Sequence, residues 1–276
     1  VKAGQELKTA NDPEGETEMR NILAVAGKEL RAYFHSPIAY LVMGVYAVLC
    51  GFFFYSFAAT YVVQTFRMQA MGGMGMPNMT INDYVIRPLF QGVLTIVLLL
   101  VIPLITMRLY AEEKRSGTIE LLLTSPVTDF QIIAGKFLGA LALFGTMIVI
   151  TFAYISALFI YGNPSAKPLI AQAVGLFLFG ASLLALGMWI STFTKNQIIA
   201  AVVSFAAFLL IYVLNWVTAY SSGAVGKVLS YMAITTHFEG FAKGVVDLKD
   251  LVYYVSVIAL GVFLTARSVE ALKGRV

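Results

Sequence analysis

The run LFQGVLTIVLLLVIPLIT, residues 89–106, contains no Asp, Glu, Lys, Arg or His, and it decides the fold class. At about 1.5 Å per residue, a helix of that length nearly matches the ~30 Å hydrocarbon layer of a bilayer. A helix also satisfies its own backbone N–H and C=O groups, which lipid cannot do. Five further stretches are equally free of charge: 38–60, 137–160, 169–193, 198–217 and 251–266. Composition agrees, with 59% hydrophobic and 12% charged residues, about half the charged share of a soluble domain. The expectation is an all-α polytopic membrane protein with six transmembrane helices in residues 38–276. The shortest stretch, 251–266, draws on its flanks or on a thinned bilayer.

Basic residues orient these spans. With both termini in the cytoplasm, segments 1–37, 107–136, 194–197 and 267–276 hold 13 of the 19 Lys and Arg residues, and 61–88, 161–168 and 218–250 hold 6. Such an inside excess sets topology, and it accounts for the net charge of +4 without nucleic acid as a partner. Trp189 and Trp216 fall near the inner end of the fourth span and the outer end of the fifth, where amphipathic rings settle. Residues 1–18, with Glu6, Asp12, Glu14, Glu16 and Glu18 among Gly4, Pro13 and Gly15, predict a disordered tail that lacks the apolar core of a signal peptide. Residues 19–37 predict a connecting helix. Ile22, Ala26, Leu30 and Tyr33, joined by Leu23 and Phe34, share one face, while Asn21, Lys28, Arg31 and His35 occupy the other. Such a helix lies in the inner membrane interface or packs on protein, and Ser36-Pro37 ends it.

The spans exclude several chemistries. They contain none of the 15 acidic residues and neither histidine, which disfavours ion-coupled transport and intramembrane proteolysis. Each Gly-Lys pair, at Gly27-Lys28, Gly135-Lys136 and Gly226-Lys227, is followed by Glu, Phe or Val, so no P-loop is present. Cys50 is the single cysteine, which rules out a disulfide framework or a thiolate metal site. The chain is not expected to be an enzyme or to bind a cofactor, and any ATP-driven work requires a separate subunit docking on the long inner loop, 107–136. Pro103 is expected to kink the second span, and Gly135 with Gly139 offers a small-residue contact.

The inner loop begins with clustered charges, turns at Ser116-Gly117, continues through an amphipathic stretch from Thr118 to Leu123, and stops at Ser125-Pro126. Asp129 is expected to cap the third span. A short helix held there transmits a push; the plainer alternative is a solvated, salt-bridged loop. In the first outer loop, Met68, Met71, Met74, Met76 and Met79 alternate with glycines. Thioethers suit Cu(I), yet without Cys or His beside them the expectation is an adaptable apolar surface and no metal.

The run Glu112-Glu113-Lys114-Arg115-Ser116-Gly117-Thr118-Ile119-Glu120-Leu121-Leu122-Leu123-Thr124-Ser125-Pro126-Val127, followed by Ile133-Ala134-Gly135-Lys136, closely resembles the cytoplasmic signature of ABC-2 type permeases. The similarity extends over about residues 19–276. Met19-Arg20-Asn21-Ile22 with Lys28-Glu29-Leu30 looks like the family's connecting helix. The run His237 to Leu251 looks like the branch containing gliding-motility and copper-enzyme-maturation permeases. The resemblance implies a coupling helix around 113–124 that fits a cleft of an ABC ATPase, with Glu113, Arg115, Thr118 and Glu120 as polar contacts, Gly117 as the turn, and Leu121 and Leu122 as the packing face. It also implies ATP and Mg on that partner, a second permease subunit forming a homo- or heterodimer, a possible extracytoplasmic auxiliary protein, and a bacterial cytoplasmic membrane. Segment 218–250 is expected to be partly re-entrant, with Phe238 and Phe241 on a face dipping into the interface and His237 hydrogen-bonded rather than a ligand. The alternatives are a membrane anchor that relays ATPase strokes to an outside partner without transport, and a passive channel.

Overall fold

The computed structural model describes residues 13–70, 80–123, 127–162, 164–218 and 223–273. Among the described residues no strand occurs, and six helical segments are long and apolar enough to cross a membrane: Pro37–Ala70, Asn82–Ser116, Asp129–Tyr161, Ala166–Ser191, Gln197–Trp216 and Leu248–Lys273. The second and fourth are central, with 67% of each apolar window buried, against 17–28% for the other four. Large apolar side chains such as Val48, Tyr55, Leu210 and Phe263 point outward from the peripheral spans, where lipid, not water, is the compatible solvent. The methionine-rich run 71–79, residues 1–12 and residues 124–126 lie outside the described residues.

The chain opens with α1 (Pro13–His35) and, after Ser36, α2 (Pro37–Ala70). Helix α1 thus begins inside the expected tail of 1–18. Pro13 is tolerated in a first helical turn, and the acidic run Glu14, Glu16 and Glu18 complements the positive end of the helix dipole. Along α1, Ile22, Val25, Ala26 and Tyr33 turn inward while Lys28, Arg31 and His35 stay exposed. Two residues depart from the expected faces: Leu23 is 58% exposed, and the Asn21 side-chain amide donates to Gln131 Oε1 at 3.3 Å.

The second span contains two π-helical segments, Asn82–Ile86 and Leu89–Leu94, followed by α3 (Thr95–Thr106) and α4 (Arg108–Ser116). Pro103 stands within α3, which ends at Thr106 after a Met107 N–H bond to the Pro103 carbonyl of 2.9 Å. The first part of the expected loop is therefore helical and half inserted: Leu109, Tyr110 and Ala111 are buried while Arg115 and Ser116 are exposed. Gly117, at φ +73°, ends α4 in the left-handed region that glycine adopts without a Cβ clash, and α5 (Ile119–Leu123) follows.

Helix α6 (Asp129–Tyr161) is capped by Thr128 and not by Asp129. Thr128 and Gln131 form a reciprocal capping box, the pattern of a hydroxyl three residues before Glu or Gln. Asp129, one position inside, pairs with Lys273 at 2.6 Å. Then come α7 (Ala166–Ser191), α8 (Gln197–Thr218), two short helices α9 (Ala224–Met232) and α10 (Phe238–Ala242), and α11 (Leu248–Lys273). The central α7 packs on α3, α10 and α11. Helix α1 packs lengthwise on α6, and together with α4 and α5 marks one end of the bundle. The short helices α9 and α10 lie at the far end.

Candidate functional site

At the α1 end, four charged side chains from three helices meet. Lys136 of α6 is 1% exposed; its ammonium donates to Glu29 Oε1 of α1 at 2.8 Å, to Glu113 Oε1 of α4 at 2.7 Å and to the Leu109 carbonyl at 2.9 Å. All three N–H groups are thus used. Lys28 adds a second, outer cation 3.5 Å from Glu113 and 3.9 Å from Glu29. Two cations face two carboxylates, so the cluster carries no formal net charge. A buried ammonium without such partners would be far too costly to retain. The Tyr110 ring lies 5.3 Å from the Lys136 nitrogen, a cation–π contact, and Glu113 Oε2 is buried without a protein partner among the described residues.

The joint exists because α1 lies close to α6. A Cβ placed on Gly135 would stand 2.5 Å from Val25 Cβ and 2.9 Å from the Ile22 carbonyl oxygen, and one on Gly139 would stand 2.7 Å from Glu29 Cβ. The small-residue pair thus seats the connecting helix. Tyr33 adds a second tie by donating to the Ile105 carbonyl at 2.8 Å. Burial, with the Glu29 charge adding to it, holds its hydroxyl above the ordinary tyrosine range, so Tyr33 remains a donor. The Arg108 guanidinium sits 5.1 Å over the Tyr33 ring and pairs with Glu112 at 2.9 Å. On the other flank of α4, Lys114 donates to the Thr192 carbonyl at the end of α7.

The predicted coupling residues therefore divide. Glu113 faces inward into the joint, its side chain only 12% exposed. Arg115, Gly117, Thr118, Glu120 and Leu121 are exposed, Leu121 by 73%. Ile119 packs inward against the core. Leu122 lies in α5, but its side chain is outside what is described. Sequence reasoning missed the joint itself: Lys136 and Glu29 stand in quoted motifs, yet nothing in their spacing pairs them.

At the far end the predicted residues do come together, inside the protein. Phe238 and Phe241 are buried against α7, Phe238 edge-to-face with Phe179 and Phe241 over Gly175. Their shared face meets α7. His237 bonds Asp250 at 2.8 Å and the Tyr231 carbonyl at 3.0 Å, and stacks on Tyr253 at 3.8 Å. No group of three or more His, Cys, Asp or Glu suited to a metal occurs among the described residues.

The model of the family described as "ABC-2 family transporter protein" matches residues 23–267. Two relatives, each described as a probable multidrug ABC transporter permease YbhS, from Escherichia coli strain K12 and from Escherichia coli O157:H7, are 34% identical over 127 residues. Those residues cover 44% of this chain and 32% of each relative, so the match spans about a third of the relatives' length.

Proposed function

The chain belongs to the ABC-2 family of transporter proteins, and from that premise we propose that it is the membrane subunit of an exporter whose ATPase is a separate cytoplasmic protein. One observation carries this reading: α4, α5 and the turn between them expose Arg115, Thr118, Glu120 and Leu121 on a segment braced to three other helices, through Glu113 to Lys136 of α6 and Lys28 of α1 and through Lys114 to the end of α7. A docked ATPase that moves α5 pushes α4, and α4 is the continuation of the central second span. ATP and Mg reside on the ATPase. The sparsely buried α2, α8 and α11 offer faces to a second permease subunit. Glu113 acts in this scheme as the rigid root of the coupling segment.

Docking is tested on the exposed face. Leu121→Asp combined with Arg115→Glu is expected to reduce ATPase copurification about tenfold while leaving the membrane yield unchanged, since neither side chain belongs to the packed core. Full copurification with both changes in place would refute the docking surface.

Orientation is tested separately. In a Cys50→Ala background, Ser116→Cys should resist an impermeant reagent added outside and Ser165→Cys should react. Both side chains are exposed, and the basic-residue asymmetry supports opposite sides for them. The reverse labelling pattern would invert the topology.

A further inference from the structure

Two cavities at the far end share a wall residue. The larger, about 590 Å³, opens among α9, α10 and the start of α11, and its lining includes Lys227, Lys243, Asp247 and Glu239. The smaller, about 100 Å³, lies between the second and fifth spans and α10; its lining includes Gln91, Asn215, Trp216, Thr235 and again Glu239.

The chemistry of the smaller cavity is specific. Glu239 is its one formally charged wall residue, and no ion pair joins Glu239 to another described residue. Thr235 Oγ1 is buried there without a partner among the described residues. Tyr212 and Trp216 meet edge-to-face at 6.4 Å beside it, and Asn215 Oδ1 accepts from Thr236 at 3.3 Å. Gln91 sits in the π-helical segment Leu89–Leu94, a helix form that recurs at functional sites. The Gln91 and Asn215 amide oxygens already accept from Arg87 and Thr236, so the carboxylate, the buried hydroxyl and the aromatic rings are what converge on a space of a few heavy atoms, and together they want a cation that brings its own N–H donors.

We propose that Glu239 anchors a binding site for the ammonium end of a primary amine, the head entering the smaller cavity and the rest of the molecule lying in the larger cleft, where lysines and Asp247 meet its polar groups. The proposal deepens the permease reading by naming a cargo class, but binding itself is independent of any ATPase.

The experiment uses the full chain in nanodiscs with Trp189→Phe, so that Trp216 is the sole remaining tryptophan of the two, titrated with n-butylammonium, n-butanol and butyrate. A saturable change in Trp216 fluorescence is expected with butylammonium alone, weakened at least about tenfold by Glu239→Gln and less by Thr235→Val. Equal responses to butanol, undiminished binding by both variants, or no response to butylammonium would overturn the site. Circular dichroism of each variant identifies misfolding, and Thr235→Val serves if Glu239→Gln does not fold. ATPase stimulation in the full complex is read apart: binding without stimulation sustains the site and counts against the amine as cargo.

Discussion

Lys136→Met is expected to destabilise the chain by roughly 3–5 kcal/mol, the scale found when one partner of a buried ionic network is removed. The ammonium lies within 2.8 Å of both Glu29 and Glu113, so its loss leaves two mostly buried carboxylates facing each other with only the largely exposed Lys28 still beside them. Repulsion then acts between α1 and α4, and the Leu109 carbonyl loses its donor. The cleanest readout is the temperature at which half of the purified protein aggregates from detergent. Adding Glu29→Gln and Glu113→Gln to Lys136→Met should recover most of that loss, because no buried charge is then stranded and the remaining Lys28 is largely exposed. ATPase association should stay weak in the triple variant if the joint fixes α4. Unchanged aggregation temperature in Lys136→Met would show that the joint contributes nothing to stability.

The second large effect is steric. Gly135→Leu forces a side chain against Val25 Cβ, 2.5 Å from the new Cβ, and against the Ile22 carbonyl at 2.9 Å. Backbone oxygen cannot rotate away as a side chain does, so α1 must lift from α6, at a cost of about 1–3 kcal/mol for overpacking. Lifting α1 also draws Glu29 from Lys136, which couples this substitution to the first. Amide hydrogen exchange across residues 20–35 should rise markedly, while exchange in the central α7 stays as it was. Equal protection of 20–35 in both proteins would mean that α1 is not seated on the glycine pair.

These two predictions rest on features that differ in how far they were written in the sequence. The six spans were legible because apolar length is a local property, and Gly117 was legible because a turn between charged and amphipathic runs is local too. The start of α1 was misread: an acidic run after Pro13 is polar whether it floats or opens a helix, and composition does not separate the two. Thr128 was overlooked as the cap beside the more conspicuous Asp129, although Gln131 completed the pattern. The joint was not legible at all, since Glu29 and Lys136 are 107 positions apart and no periodicity tells which faces of α1 and α6 will meet. For the same reason the packing of Phe238 and Phe241 on α7 was not legible.

The charged joint also carries a consequence for biogenesis. Its members leave the ribosome in the order Lys28, Glu29, Glu113, Lys136, so the cation that neutralises both carboxylates is the last to be made. Glu29 waits while 107 residues are added and Glu113 while 23 are added. Until Lys136 is added, the two carboxylates lack the buried cation that pairs with both of them in the folded chain. Chains that stall before the third span therefore remain distinguishable from longer ones, because the closing of this end reports that the third span has begun.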